Sequence, residues 1–208
     1  MQATTKRLAI LTGVLGSIFA YSANAAVIHW NAQEIPIPTT FAGVSLNLET
    51  ADTTNDIAGM PGADANFFAG GIGISNDADQ TSMMASWQPV RSGIGNTDAI
   101  VNLTPGTLVD GSSVTGDDFG ASGGAVTHFA TFTSGTPGYI GYSVVLSDNT
   151  TAYGWMRVTL RNDNMEGVIH EWAYENSGAP IEVGAIPEPS LTLLASIGLA
   201  ALTLRRKR

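Results

Sequence analysis

Residues 139–160 read YIGYSVVLSDNTTAYGWMRVTL, and this stretch decides the fold of the 208-residue chain. The side chains of a β-strand point alternately to its two faces, so apolar residues at every second position indicate a strand with one buried face. That pattern occurs at Ile140, Tyr142, Val144 and Leu146, and again at Met156, Val158 and Leu160. Because turn-forming residues 147–150 lie between the two runs, the stretch predicts a β-hairpin.

Weaker strand patterns continue on both sides of this hairpin. Downstream, residues 167–174 follow the turn at 162–164 and predict a further strand. Upstream, strands are predicted at 27–30, 43–48, 67–75 and 126–132, with weaker ones at 99–103 and 113–114. The glycines within 67–75 indicate a bulge or a close backbone approach. Residues 50–66 form a predicted long polar connection, and residues 82–87 fit either a helical turn or a strand.

Short strands, hairpin-type turns and 24 glycines, with few helical periods, predict an all-β fold. We expect an antiparallel β-sandwich of jelly-roll type over residues 26–184. A β-helix is the alternative, but no repeat of fixed period occurs. The chain has no cysteine, so the domain relies on its core, and thiol catalysis and zinc–thiolate sites are excluded.

The first 25 residues have the organisation of a secretory signal peptide. Lys6 and Arg7 form the positive region, residues 8–20 are apolar, and Ala23 and Ala25 are the small residues that a signal peptidase reads. We expect cleavage after Ala25, with cleavage after Ala26 as the near alternative. The apolar run is too short for a stable membrane anchor.

Residues 185–208 form a separate C-terminal segment with three parts. They are Pro187-Glu188-Pro189-Ser190, the apolar run 191–204 and the basic cluster Arg205-Arg206-Lys207-Arg208. The prolines favour an extended, exposed backbone. As a helix the apolar run would be about 21 Å long, and snorkelling basic side chains narrow the gap to a bilayer core of roughly 30 Å. The cations favour a cytoplasmic C-terminus. A buried amphipathic helix is the alternative, but no polar face recurs with helical period.

This tail resembles the PEP-CTERM sorting signal of exported proteins in Gram-negative bacteria. The runs GYIGY, YGWMRV, WAYE and PIEVG within residues 138–184 are also similar to the ectodomain of many PEP-CTERM proteins. The resemblance implies export across the inner membrane, a transient anchor there through the C-terminal helix, and removal of the tail by an exosortase. Signal peptidase, exosortase and exopolysaccharide are the implied partners, and the cell surface or the extracellular space is the implied location. No reaction is implied.

The region between the two terminal signals is strongly acidic. Residues 26–186 contain three arginines, no lysine and 17 acidic residues, so their formal charge is −14. Such a surface repels nucleic acid and anionic lipid headgroups, and we therefore exclude nucleic-acid binding. It would attract divalent cations or cationic polymers, although solubility alone also explains it.

Residues 120–124 fit the G-x-S-x-G pattern of a nucleophile elbow, with Ser122 as the nucleophile and His128 nearby. An elbow needs a strand before the serine and a helix after it, whereas a strand is predicted from residue 126 onward. A glycine-rich loop is the favoured interpretation. We predict no catalytic residue and no enzyme.

Acidic side chains offer two further kinds of site. Glu171 and Glu175, or Asp117-Asp118, can be nominated as the carboxylate pair of a glycosidase. Asp77 and Asp79, or again Asp117-Asp118, can be nominated as oxygen ligands of Ca²⁺. Acidic residues are frequent throughout the domain and no EF-hand spacing is present, so solvated loops are the favoured interpretation.

The three histidines, His29, His128 and His170, lie far apart, each on a predicted strand. No H-x-H or H-E-x-x-H spacing joins them, so a metal site would require them to meet by chance in the fold. Packed or half-exposed strand histidines are the default interpretation. We predict no metal and no cofactor.

Tyr153 and Trp155 lie on the face of their strand opposite its apolar residues, where they could stack on a sugar ring. Core packing is the favoured alternative for these rings, as it is for Trp87, Trp172 and Tyr174, because aromatic residues dominate β cores and cross-strand pairs. We expect an exported, non-catalytic surface or matrix protein associated with exopolysaccharide or biofilm, as the resemblance implies. The alternatives are a carbohydrate-binding module and a secreted hydrolase, the latter disfavoured because no coherent catalytic set emerges.

Overall fold

The structure, a computed structural model, describes residues 26–56, 62–75, 87–93, 98–113 and 131–186. Within these ranges twelve strands form three sheets, every pairing is antiparallel, and the one helical element is a short 3₁₀ turn. The predicted all-β, antiparallel character is confirmed. The predicted signal peptide and C-terminal segment from residue 187 onward lie outside the described residues, as do residues 82–86.

Three strands have nine residues each, and the other strands have two to four. Their bounds are β1 Val27–Trp30, β2 Ile35–Ile37, β3 Val44–Leu46, β4 Thr53–Thr54, β5 Ala65–Phe68, β6 Gly73–Ser75, β7 Trp87–Pro89, β8 Leu108–Val109, β9 Pro137–Val145, β10 Thr151–Thr159, β11 Gly167–Glu175 and β12 Ile181–Glu182. The 3₁₀ turn, Ala69–Gly71, connects β5 to β6.

The large sheet has the strand order β1-β11-β10-β9-β7, and β2 also pairs with β11. Its centre is the predicted hairpin, in which β9 and β10 pair in continuous register from Thr151↔Val145 to Thr159↔Pro137. Gly154 lies opposite Tyr142, whose ring occupies the space that a side chain at Gly154 would need. The Tyr142 hydroxyl donates to the carbonyl oxygen of Ala173 at 3.2 Å, so the ring is fixed across three strands.

The small sheet has the order β4-β3-β5-β6, and it shares one apolar core with the large sheet. The largest fully buried side chains of this core are Phe67, Trp87, Tyr142 and Trp172. The indole Nε1 of Trp172 donates to the carbonyl oxygen of Leu48 at 3.1 Å, which links the last long strand to the chain just after β3. We call the face of the large sheet that lines this core its inner face.

Residues 67–75, predicted as one strand, are two strands of a tight hairpin. Gly70 and Gly71 have φ values of 72° and 102°, a left-handed conformation that reverses the chain and favours glycine. A side chain at Gly70 would collide with the carbonyl oxygen of Met165, and one at Gly71 would approach Leu160 to 2.7 Å. The predicted close backbone approach is therefore confirmed. The prediction of a single strand over residues 67–75 is wrong, because β5 and β6 are separate strands.

Other predictions need smaller corrections. The polar connection 50–66 contains β4 and the first residues of β5, and β2, β8 and β12 lie where no strand was predicted. The weak strand at 99–103 consists of isolated bridges, Arg91↔Ile100 and Leu103↔Tyr139. Of the weak strand 113–114 and the strand 126–132, the described residues Ser113, Thr131 and Phe132 lie in turns or bends.

Candidate functional site

The outer face of the large sheet, opposite the shared core, carries a second apolar cluster centred on Trp155. Its buried members are Val90, Val109, Trp155, Ala173, Ile181 and Val183. In register, Trp155 lies between Gly141 on β9 and Ala173 on β11. The absence of a side chain at Gly141 leaves room for two side chains that pack beside the indole, because a Cβ there would come within 2.5 Å of Leu103 and 2.9 Å of Val109. The two-stranded sheet of β8 and β12 contributes Val109 and Ile181 to this cluster.

Trp155 is only 1% exposed, because the chain after β12 lies against its ring. Its Nε1 donates to the carbonyl oxygen of Ala185 at 3.1 Å, and its ring lies 5.7 Å from that of His29 and 5.8 Å from that of Tyr139. The carbohydrate contact nominated at Trp155 therefore needs correction, since no sugar can stack on a buried ring. Core packing is the arrangement found for Trp155, as it is for Trp87, Trp172 and Tyr174.

Tyr153, the second nominated carbohydrate contact, is half-buried at the edge of the same cluster. A side chain at Gly111 would lie 3.0 Å from its hydroxyl, so the tyrosine packs against the turn that follows β8. One part of its ring remains accessible to solvent. Of the two rings nominated to stack on a sugar, Trp155 is therefore buried and Tyr153 is half-buried.

Glu171 is the centre of a polar cluster beside Trp155. Its Oε1 accepts from Arg157 Nε at 2.7 Å, and its Oε2 lies 3.0 Å from His29 Nε2. Burial opposes ionisation of the carboxyl, but the hydrogen bonds from Arg157 and His29 outweigh it, so its pKa lies below the ordinary value. Both carboxylate oxygens are thus engaged, and the cluster joins β1, β10 and β11.

A bulge in β11 places His170 next to this cluster. Val158 pairs with Ile169 and Arg157 with Glu171, so His170 is the extra residue of the pairing. Its Nε2 lies 2.8 Å from Thr159 Oγ1, and its Nδ1 lies 3.0 Å from a carboxylate oxygen of Glu34.

The order hydroxyl, imidazole, carboxylate is that of a hydrolase triad. Here Thr159 lies on the central strand β10 and His170 at the bulge of β11, whereas Glu34 lies on the β1–β2 loop, where it and Ala32 have positive φ values of 48° and 52°. The contact of Glu34 with His170 attaches the β1–β2 loop to β11, and the contact of Thr159 with His170 adds a side-chain link between β10 and β11. Sequence reasoning missed this set because Glu34 precedes His170 by 136 residues and no local spacing marks them.

The nominated glycosidase pair, Glu171 and Glu175, does not face one cleft. The two residues lie four positions apart on β11, about 13 Å at roughly 3.3 Å per residue, whereas glycosidase carboxylates are about 5–9.5 Å apart. Glu175 is buried and accepts hydrogen bonds from Ser177 N at 3.0 Å and Ala179 N at 2.7 Å. Glu175 therefore stabilises the turn after β11. The nomination of Glu171 and Glu175 as a glycosidase pair is corrected, because hydrogen bonds within the domain engage both carboxylates.

His29 and His170 are half-buried on β1 and β11, as the default interpretation of strand histidines predicted. In the part of the chain that the structure describes, no group of three or more histidine, aspartate or glutamate side chains is arranged to hold a metal ion. The remaining nominated residues lie outside that part, namely Ser122 with its loop 120–124, His128, Asp77, Asp79, Asp117 and Asp118.

The segment 181–185, which we call the C-terminal clasp, fixes the end of the described chain to the outer face. Ile181 pairs with Val109 and Glu182 with Leu108. Val183 donates through its N–H to Thr107 O at 2.9 Å and accepts at its carbonyl oxygen from Gly106 N at 2.9 Å. Together with the bond from Trp155 to Ala185, these contacts hold the chain up to the predicted start of the processing motif.

Comparison of the chain with protein-family models, with curated proteins and with solved structures found no match. Among the residues that the structure describes, no helix is long and apolar enough to cross a membrane. The predicted signal peptide, hydrophobic helix and basic cluster lie in the terminal ranges 1–25 and 187–208, outside those residues. They therefore stay predictions from the sequence.

Proposed function

We propose that this protein is an exported, non-catalytic component of the cell surface or extracellular matrix of a Gram-negative bacterium, sorted by an exosortase. The observation that carries the proposal is the order of Pro187-Glu188-Pro189, an apolar run and a basic cluster directly after a folded domain. Signal peptidase removes residues 1–25, the C-terminal helix anchors the chain transiently in the inner membrane, and exosortase releases it. Exopolysaccharide is the proposed setting in which the released domain works.

The domain is proposed to be a β-sandwich whose layers are the large and the small sheet. Support comes from the single apolar core that both sheets share and from the hydrogen bond between Trp172 and Leu48. A sandwich without disulfides suits a protein that stays folded outside the cell by means of its core alone. The jelly-roll connection remains part of this proposal.

A non-catalytic role is supported by the way in which the outer-face carboxylates are engaged. Glu171 is bound by Arg157 and His29, and Glu175 is bound by main-chain N–H groups of its own turn. The acidic balance of residues 26–186 favours solubility and disfavours contact with anionic polymers. These features fit a stable surface component. The two carboxylates described on β11, Glu171 and Glu175, do not form a general acid–base pair.

The proposal is tested by changing Pro187 and Pro189 to alanine in the native host. We expect the variant to stay in the membrane fraction, because the extended motif that the exosortase reads is lost. Pro180→Ala is the matched control, since it alters an exposed proline of the domain seven residues upstream, and it should be released normally. Release of the double variant at the normal level would contradict the proposal.

A second candidate function, carbohydrate binding, is favoured by a different pair of rings. Phe41 is 77% exposed, and its ring centroid lies 5.2 Å from that of Phe68. Exposed aromatic rings can stack on the apolar face of a sugar. Phe41→Ala should lower retention on a neutral polysaccharide resin, whereas Met165→Ala, which alters an exposed but non-aromatic side chain, should not. Equal retention of both variants and the parent would remove this candidate.

A further inference from the structure

The C-terminal clasp ends next to the predicted processing motif. Ala185 is the last residue for which the described structure shows a hydrogen bond to the rest of the domain. Ile186 follows and is 59% exposed, and Pro187 is the next residue in the sequence. Within the described chain, the change from hydrogen-bonded to exposed residues therefore occurs immediately before the motif.

A protease acts on chain that is extended and accessible on both sides of the bond that it cuts, and native structure withholds such chain until it opens locally. Ile181 and Val183 are buried in the second apolar cluster. Both main-chain groups of Val183 are hydrogen-bonded, and the carbonyl oxygen of Ala185 accepts from the Trp155 indole. Residues 181–185 are thus withheld from a protease for as long as the clasp is closed.

We propose that the clasp is a fold-dependent stop for C-terminal processing. It confines cleavage of the folded protein to bonds after Ala185 and keeps the new C-terminus beside Trp155 on the outer face once the tail is gone. Ile181 and Val183 remain in place after cleavage, so the second apolar cluster stays covered in the released protein. The inference rests on the proposed function only for the identity of the protease, because the accessibility of the chain is a property of the fold.

The test uses the purified full chain in detergent and a broad-specificity endoprotease that is unrelated to any exosortase. Brief digestion followed by mass spectrometry locates the cuts near the C-terminus. We expect cuts after Ala185 and none within 181–185 while the domain is folded. Cuts within the clasp at the same rate as beyond it would overturn the inference.

Two variants open the clasp in different ways. Val183→Asp places a carboxylate in an apolar contact, and Trp155→Phe removes the donor to Ala185 O while keeping an aromatic ring. Loss of one hydrogen bond should raise the open population, and hence cleavage within 181–185, about fivefold. Glu182→Gln, on the exposed side of the clasp, is the matched control and should leave the cleavage pattern unchanged.

The melting temperature of each variant shows whether the domain is still folded during digestion. If Val183→Asp does not fold, Trp155→Phe decides the question. An unchanged pattern in folded Trp155→Phe would overturn the inference. The proposed function is tested by a different experiment. If the native host releases the protein equally well without its exosortase, the proposed function is wrong, but the digestion result still shows whether the clasp limits cleavage.

Discussion

The two faces of the large sheet are held in different ways. The inner face packs against the small sheet, and the buried side chains of their shared core come from segments spread from β2 to β11. The outer face carries a smaller cluster that is covered by β8 and by the C-terminal clasp. The inner face opens only when the two sheets separate, whereas release of the five-residue clasp uncovers part of the outer face. We infer that global unfolding is governed by the inner face and access to the tail by the outer face.

Two tryptophans make this difference measurable. Trp172 on the inner face and Trp155 on the outer face are both fully buried, and each donates its indole Nε1 to a carbonyl oxygen at 3.1 Å. The acceptors differ: Leu48 lies beside the small sheet, and Ala185 is the end of the clasp. The same substitution at the two positions therefore reports on the two faces separately.

The largest effect is expected for Trp172→Ala. The change removes a buried indole from the shared core and leaves the Leu48 carbonyl without its donor, so the free energy of unfolding should fall by about 3–5 kcal/mol. Urea unfolding followed by circular dichroism measures this. A loss below about 1 kcal/mol would show that the inner face does not govern global stability.

Gly154→Ala should also destabilise the inner face, by about 1–3 kcal/mol, because the new methyl group meets the Tyr142 ring, which its hydroxyl bond to Ala173 holds in place. Gly111→Ala is the control, since its methyl group would meet only the tip of the Tyr153 side chain. The two variants are compared by their urea midpoints. Similar midpoints would mean that the Tyr142 ring moves aside without cost.

The matched pair Trp172→Phe and Trp155→Phe sharpens the comparison. Each loses one indole hydrogen bond, about 1 kcal/mol, together with part of a ring. At position 172 the loss should appear as faster exchange of amides throughout both sheets. At position 155 it should be confined to the clasp, with faster exchange of the Val183 and Ala185 amides. Equal global destabilisation by the two substitutions would contradict the separation of the faces.

The smallest effect is expected at Glu171 and depends on pH. Burial opposes its ionisation, but Arg157 and His29 hold its pKa below the ordinary value of 4.5. A carboxyl with a lowered pKa in the folded state stabilises the fold above its unfolded pKa, and this contribution is lost as pH falls through the folded pKa. Glu171→Gln should therefore be less stable than the parent at neutral pH, and the difference should shrink below pH 4.5.

Melting temperatures of the parent and Glu171→Gln over this pH range measure the effect. Glu182→Gln removes a charge from the exposed side of β12 and serves as the control. A gap between the parent and Glu171→Gln that stays constant down to acid pH would show that the carboxylate contributes through packing alone.

The sequence predicted the hairpin of β9 and β10 well because its apolar residues alternate without interruption over both strands. It did not predict the hairpin within 67–75, because the close approach that excludes a side chain at Gly70 comes from the carbonyl oxygen of Met165, which lies 95 positions further along the chain. Strands of two residues, such as β8 and β12, are too short to leave a period in the sequence.

The candidate site was harder to predict than the fold. Tyr153, Trp155, Arg157 and Thr159 form the outer face of β10, and for its two rings the sequence allowed either stacking on a sugar or core packing, with core packing favoured. Core packing is the arrangement found for Trp155, but the segment that covers it was not predicted, because no local pattern reveals a contact between residues 30 positions apart. The polar cluster around Glu171 and His170 likewise depends on a bulge and on three separate strands.

The most direct test of the central claim is the intact mass of the mature protein from its native host, with and without a working exosortase. We predict that both ends are lost when the exosortase works, so that the chain begins at Ala26 or Val27 and ends near Pro187 to Pro189, with any added mass reporting an attached group. Without the exosortase the tail should remain. A chain that retains Arg208 in both strains would contradict the claim that this protein is sorted by its tail.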